Sequence, residues 1–143
     1  MPDFTEEENS LAQSRYDCQI RSGDIAGAKA TLEIALSFHK RNFEFAKSKT
    51  DTEKKNAKEM LVSTLAKFAE FHIQHEKNLE LAENYVTEAI EVSPDSGYVH
   101  YCLANVLFLA ERPKEAKIAY LRSQERGFTP NGFDTLSLML ASF

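Results

Sequence analysis

Apolar residues return along this chain at helical intervals and never in sustained alternation. In "AENYVTEAIEVSPDS", residues 82–96, Ala82, Val86 and Ala89 stand at i, i+4 and i+7 before Pro94 interrupts the pattern. The same spacing recurs as Ala28, Leu32 and Ala35, and again as Ala116, Tyr120 and Ser123. Such spacing lines one face of a helix, whereas a half-buried strand alternates with period two. Only five glycines occur and no β-branched run alternates, so strands are not expected. The pattern predicts seven helices, at about 5–21, 24–48, 52–75, 79–92, 96–110, 113–126 and 130–142. Gly23-Asp24 marks a turn, and Gly127 suits a helix C-terminus. Pro113 and Pro130 suit a first helical turn, where no backbone donor is lost.

Moving along by 34 residues lays Ala82, Val86 and Ala89 on Ala116, Tyr120 and Ser123, with Pro130 two places beyond the position matching Pro94. "EKNLELA" and "AERPKEA" occupy the turn that "SGDIAGA" occupies in the first copy. Helix, short turn, helix at this period, with small residues at the close-packing points, is a repeat signature. The chain resembles the tetratricopeptide repeat over roughly residues 9 to 130: the second helix carries small, large and small residues before a proline. The first helices match less well. The family's usual tryptophan, leucine, glycine and tyrosine are replaced by Ala66, Ala69, Glu70 and Ile73 in the second copy, and by His100, Leu103, Ala104 and Leu107 in the third. The resemblance implies an all-α, right-handed superhelix of stacked antiparallel hairpins in one domain over 1–143. Repeats would span about 9–48, 60–94 and 97–128, followed by a C-terminal helix at 130–142. Packing supports the same phase. Ala28, Ala82 and Ala116 let two helices approach closely while Leu32, Val86 and Tyr120 fill the space beside them. Each hairpin alone leaves an apolar face exposed, so stacking supplies stability.

Ala28 and Ala82 are 54 residues apart, 20 more than the period. The surplus lies in "LSFHKRNFEFAKSKTDTEKKNAKEML", helix-forming throughout, with "KSKTDTE" as its turn. The second and third helices are therefore expected to extend by about three turns, roughly 15 Å each, into a hairpin tip at about 40–58. A similar extension occurs in the large immunophilins, where the resemblance would imply basic and asparagine side chains clamping a chaperone's C-terminal carboxylate. The aligned positions are Gln13, Asp17, Phe68, Tyr98 and Cys102. None is a cation, so that clamp is not expected.

In the family, the first helix of each hairpin faces a concave groove. By alignment that surface would show Gln13, Asp17 and Ile20, then Phe68, Phe71 and His75, then Tyr98, Tyr101, Cys102, Asn105 and Phe108. Aromatic side chains supply large contact area at low entropic cost and dominate binding hot spots. The expectation is an aromatic-lined groove that takes an amphipathic helix or an extended apolar peptide. Phe71 and Tyr101 are its leading candidates, because Ala69 and Leu103 occupy the neighbouring core-facing slots. The competing reading turns these rings into the inter-helix core.

Composition narrows the remainder. With 143 residues, 43% hydrophobic and 27% charged, the chain is an ordinary globular sequence of one-domain size. A net charge of −5 argues against a general nucleic-acid binder. Cys18 and Cys102 are too few and too far apart for a disulfide framework or a zinc site, which points to free thiols in a reducing compartment. No apolar run approaches the ~18 residues of a membrane helix, and "MPDFTEEENS" lacks the order of a signal peptide. A cytoplasmic protein with no membrane partner is the expectation. The tip sets Lys40, Arg41, Lys47, Lys49, Lys54, Lys55 and Lys58 against Glu44, Asp51 and Glu53, a local excess of +4. That is compatible with an acidic partner, with a phosphate backbone, or with a solvated end.

"HIQHE" sets His72 and His75 three apart, but His39 and His100 stand alone, so neither a metal nor another cofactor is expected. No phosphate-cradling glycine loop, nucleophile elbow or Cys-His motif occurs, and Glu6, Glu7 and Glu8 lie where nothing would desolvate them, so no enzyme is expected. The reading is an interaction module that binds a protein or peptide. The alternative is a structural or assembly subunit that self-associates through its C-terminal helix. There Phe133, Leu136, Leu140 and Phe143 form one apolar stripe, yet Leu138 and Met139 fall outside it. Repeat arrays normally finish with a polar outer face, so that end is expected to meet a second copy, another protein or further sequence.

Overall fold

The computed structural model describes residues 6–128. They are helical in the order α1 (Glu6–Ser22), α2 (Ile25–Phe45), a 3-10 turn (Ala46–Ser48), α3 (Asp51–Phe71), a π turn (His72–Glu76), α4 (Leu79–Val92), α5 (Gly97–Leu109) and α6 (Pro113–Glu125). No strand occurs among the described residues, and the all-α expectation holds. The helix expected at 130–142, with Leu138 and Met139, lies outside the described residues.

The element ends follow from local chemistry. The Asp24 carboxylate accepts from the Gly27 N–H at 3.0 Å, Thr50 Oγ1 from Glu53 at 3.2 Å, and Asn78 Oδ1 from Leu81 at 3.1 Å. Each satisfies a donor that a helix start leaves open. At the end of α1, Gly23 adopts φ 83° while the Asp24 N–H reaches the Gln19 carbonyl at 2.8 Å. The same closure ends α5 on a residue with a side chain. Glu111 stands at φ 63°, with the Arg112 N–H on the Leu107 carbonyl at 2.9 Å and its own N–H on Phe108 at 3.1 Å. Gly97 opens α5 where a Cβ would come within 2.9 Å of the Ser123 carbonyl oxygen, so the helix start sits against the end of α6.

The long pair is present. α2 and α3 have 21 residues each, against 14 in α4 and 13 in both α5 and α6. Contacts divide the chain into two compact units, Met1–Thr64 and Leu65–Phe143, with the boundary inside α3 rather than in a linker. In the first unit α1 packs on α2. In the second, α5 packs on both α4 and α6.

All nine small-large-small positions are buried: Ala28, Leu32 and Ala35 on α2, Ala82, Val86 and Ala89 on α4, and Ala116, Tyr120 and Ser123 on α6. The leading alanine is fully buried in each case. Within the second unit, polar ties reinforce this packing. Arg112 Nη1 lies 3.0 and 2.9 Å from the two Glu83 carboxylate oxygens, while Nη2 bonds Glu115, joining α4 to the turn before α6. The Pro94 carbonyl accepts from Arg126 Nε at 2.9 Å and lies 2.9 Å from His100 Nε2, which fastens the turn between α4 and α5.

Two outcomes are expected from this packing. Ala82→Leu or Ala116→Leu should cost on the order of 1–3 kcal/mol by overpacking a closed contact, seen as a lower melting temperature. An unchanged melting temperature in both variants would refute the shared phase. Glu111→Gly relieves a left-handed conformation at an exposed turn and should stabilise by about 1 kcal/mol. A loss of stability there would show that the Glu111 side chain supports the turn.

Candidate functional site

The expected groove residues divide between the two units. Gln13 and Asp17 are exposed on α1 in the first. Gln13 lines a cleft of about 490 Å³ with the buried His39 of α2 and with Asn56, Glu59, Ser63 and Thr64 of α3. Burial holds the His39 imidazole below its ordinary pKa, so it favours the neutral form.

In the second unit the aromatic expectation is overturned at two positions. Phe68 and Phe71 are interior, with Phe71 at 0% exposure. Near its end α3 buries Leu65, Ala66, Phe68, Ala69 and Phe71, and the π turn that follows buries His72, so most of the circumference is covered. Ala69 and Phe71 are therefore both core positions, and Ala69 does not displace Phe71 outward. Phe68 stacks on Tyr85 of α4 at 4.7 Å between ring centroids and on His72 at 5.2 Å, and Phe71 stands edge-on to Phe68 at 6.3 Å. His75 is half-buried against Phe71 at 5.4 Å. The turn holding His72 and His75 is π-type, ending at Lys77 with φ 53°, so the i, i+3 pairing assumed for a regular helix does not apply. Among the described residues no group of three or more His, Cys, Asp or Glu converges as a metal site would require.

Tyr101, the other leading candidate, is half-buried, its ring 5.1 Å from Phe128 and 6.1 Å from Tyr120. Phe108 packs on the core formed by Ala104, Leu107, Ala116, Ala119 and Tyr120. What remains outside is a stripe on α5. Tyr98 is 47% exposed, Asn105 is exposed, Leu109 is 45% exposed, and Cys102 is partly covered between them. These positions follow i, i+4, i+7 and i+11, one helix face. Leu109 lies outside the aligned set, although its spacing from Tyr98 marks it. Glu70 takes a framework position in the family alignment. It is exposed on α3, bonded to Gln74 Nε2 at 3.1 Å, and its charge acts on both Tyr98 and Cys102.

Burial pushes the Cys102 thiol up to about 11; the Tyr98 hydroxyl, bonded to the sulfur, works against that rise and Glu70 adds to it. Tyr98 is itself raised well above the ordinary phenol range, first by burial. Both groups are protonated near neutral pH.

Comparison with protein-family models, with curated proteins and with solved structures finds no match. No helix among the described residues is long and apolar enough to cross a membrane.

Thiol labelling tests the site's electrostatics. At about pH 8 the exposed Cys18 should react with iodoacetamide well before Cys102, whose rate should climb only as pH approaches about 11. Tyr98→Phe removes the bond that holds the thiol down, so Cys102 labelling at intermediate pH should slow further. Equal rates at both cysteines near neutrality would contradict the protonated pair.

Proposed function

We propose that the chain is a protein-interaction module of the tetratricopeptide type, with the α5 stripe engaging a helix or peptide segment of a partner. One observation carries this reading. α5 spends Val99, His100, Ala104, Val106 and Leu107 on the interior and leaves Tyr98, Cys102, Asn105 and Leu109 in line on the other side. An amphiphilic stripe with a half-exposed tyrosine, a neutral amide and a leucine is a recognition surface for a segment that offers apolar anchors and backbone groups. The burial of small-large-small positions on α2, α4 and α6 supports the family reading, because the same residue pattern is interior on each helix. Free thiols at Cys18 and Cys102 suit a reducing, cytoplasmic setting.

A photo-crosslinking residue at Asn105 tests the reading in native lysate, beside the same residue at Lys114 on α6. A discrete adduct is expected from position 105 alone. Tyr98→Ala with Leu109→Ala should reduce it at least tenfold, as loss of about 2 kcal/mol at a hot spot implies, with helicity unchanged. Phe71→Ala should instead lower the melting temperature, as a core truncation of about 3–5 kcal/mol does. Adducts that ignore Tyr98 and Leu109 would withdraw the stripe as the binding surface.

A further inference from the structure

The tip joining α2 to α3 has a chemistry unlike that of the α5 stripe. Phe45, the last residue of α2, is 66% exposed, and the Lys49 ammonium lies 4.7 Å from its ring centroid. Beside it a cleft of about 230 Å³ is lined by Phe43, Lys47, Lys54 and Lys58. Lys47 sits 5.8 Å from the Phe43 ring centre and pairs with Glu44 at 2.9 Å. Across residues 40–58 seven cations meet three carboxylates, in a chain whose net charge is −5. Positive charge is therefore concentrated at one end of a hairpin around a protruding aromatic ring.

The two features belong together physically. A protruding ring needs a receptor that gives way around it: a folded partner must supply a matched pocket, whereas the interfacial region of a bilayer accepts it anywhere. A small cleft with an aromatic wall and three ammonium groups suits a phosphate or carboxylate, and is too small for a helix. Lysine stems lie along apolar surface while their charges stay with water and headgroups. Reversible attachment to a bilayer takes both an apolar insertion and basic charge, since neither suffices alone.

We propose that the α2–α3 tip docks on an anionic phospholipid membrane, with Phe45 entering the interface and Lys47, Lys54 and Lys58 holding the lipid phosphate and carboxylate groups. This is attachment from one side, which needs no membrane-crossing helix. It does not depend on the α5 stripe, and either surface can fail its test without the other.

Co-sedimentation of the full chain with vesicles decides it. Vesicles of phosphatidylserine and phosphatidylcholine in equal amounts should bind, pure phosphatidylcholine should not, and about 0.5 M salt should release the protein. Phe45→Ser should weaken binding about tenfold or more, and Lys54→Glu with Lys58→Glu by more than about 30-fold. Both alter exposed or half-exposed tip residues, so helicity should be kept. The same charge change at Lys114 and Arg122 should leave binding within about twofold. Equal binding to neutral and anionic vesicles would overturn the proposal, as would tip variants that bind like the wild type. Capture by soluble glycerophosphoserine as tight as by vesicles would mean a free phosphate ligand instead. Capture by polyglutamate as tight as by vesicles would mean an acidic protein segment.

Discussion

Burial of small residues along one stripe of α2, α4 and α6 is the constraint on which the rest depends. Ala28, Ala82 and Ala116 are fully buried, each four residues before a larger buried side chain and seven before another small one. A methyl at these points lets two backbones come together, and dispersion among many atoms at that distance stabilises the pair. Everything larger is then arranged around the contact. In the second unit the rings of Tyr85, Phe68 and His72 stack in parallel, and the Arg112 guanidinium bridges carboxylates on two helices. Gly97 belongs to the same logic, since it opens α5 where a side chain would strike the Ser123 carbonyl.

Helix positions were readable for a simple reason: each boundary carries its own chemistry. Asp24 and Asn78 cap, Gly23 and Gly127 turn left-handed, and Pro113 begins α6, all within a few residues of sequence. Periodicity also named the buried face of α2, α4 and α6 correctly, because one narrow stripe of small residues marks it. The face of α3 was misread. Periodicity reports direction around a helix and is silent on how much of the circumference neighbours cover. Phe71 points away from Ala69 and is nevertheless interior, because the end of α3 is buried across several directions at once. The π turn added a second error, since its wider winding breaks the three-residue spacing assumed for His72 and His75. Phe128 stayed hidden for a different reason. It follows the left-handed Gly127, outside any periodic segment, and only the folded turn sets its ring against Tyr98 and Tyr101.

The two exposed surfaces differ in how they are paid for in stability. On α5, Tyr98 and Leu109 leave apolar area in water, but each is half covered by its own unit, and Cys102 beneath Tyr98 is held as a neutral thiol. Such a face costs little in water, because its rings are already partly covered and oriented. At the tip, Phe45 is more exposed, and Lys47, Lys54 and Lys58 share one cleft in which their like charges repel. Lys49 over the Phe45 ring and Lys47 over Phe43 offset part of that cost through attraction to the aromatic face.

That difference explains why the tip lies in the long pair and nowhere else. Each added turn of α2 and α3 carries the chain beyond the segment where the buried alanines set the helix phase, so its side chains are released from the demands of that packing. Ala46 in the 3-10 turn and Ala57 on α3 are still buried, while positions around them are free to be lysine. A basic cluster of this density among the buried positions would have to desolvate ammonium groups, at several kcal/mol for each unpaired charge. Placed at the end of an extension, the same residues keep their water, and the extension itself becomes the means by which charge is held without loosening the core.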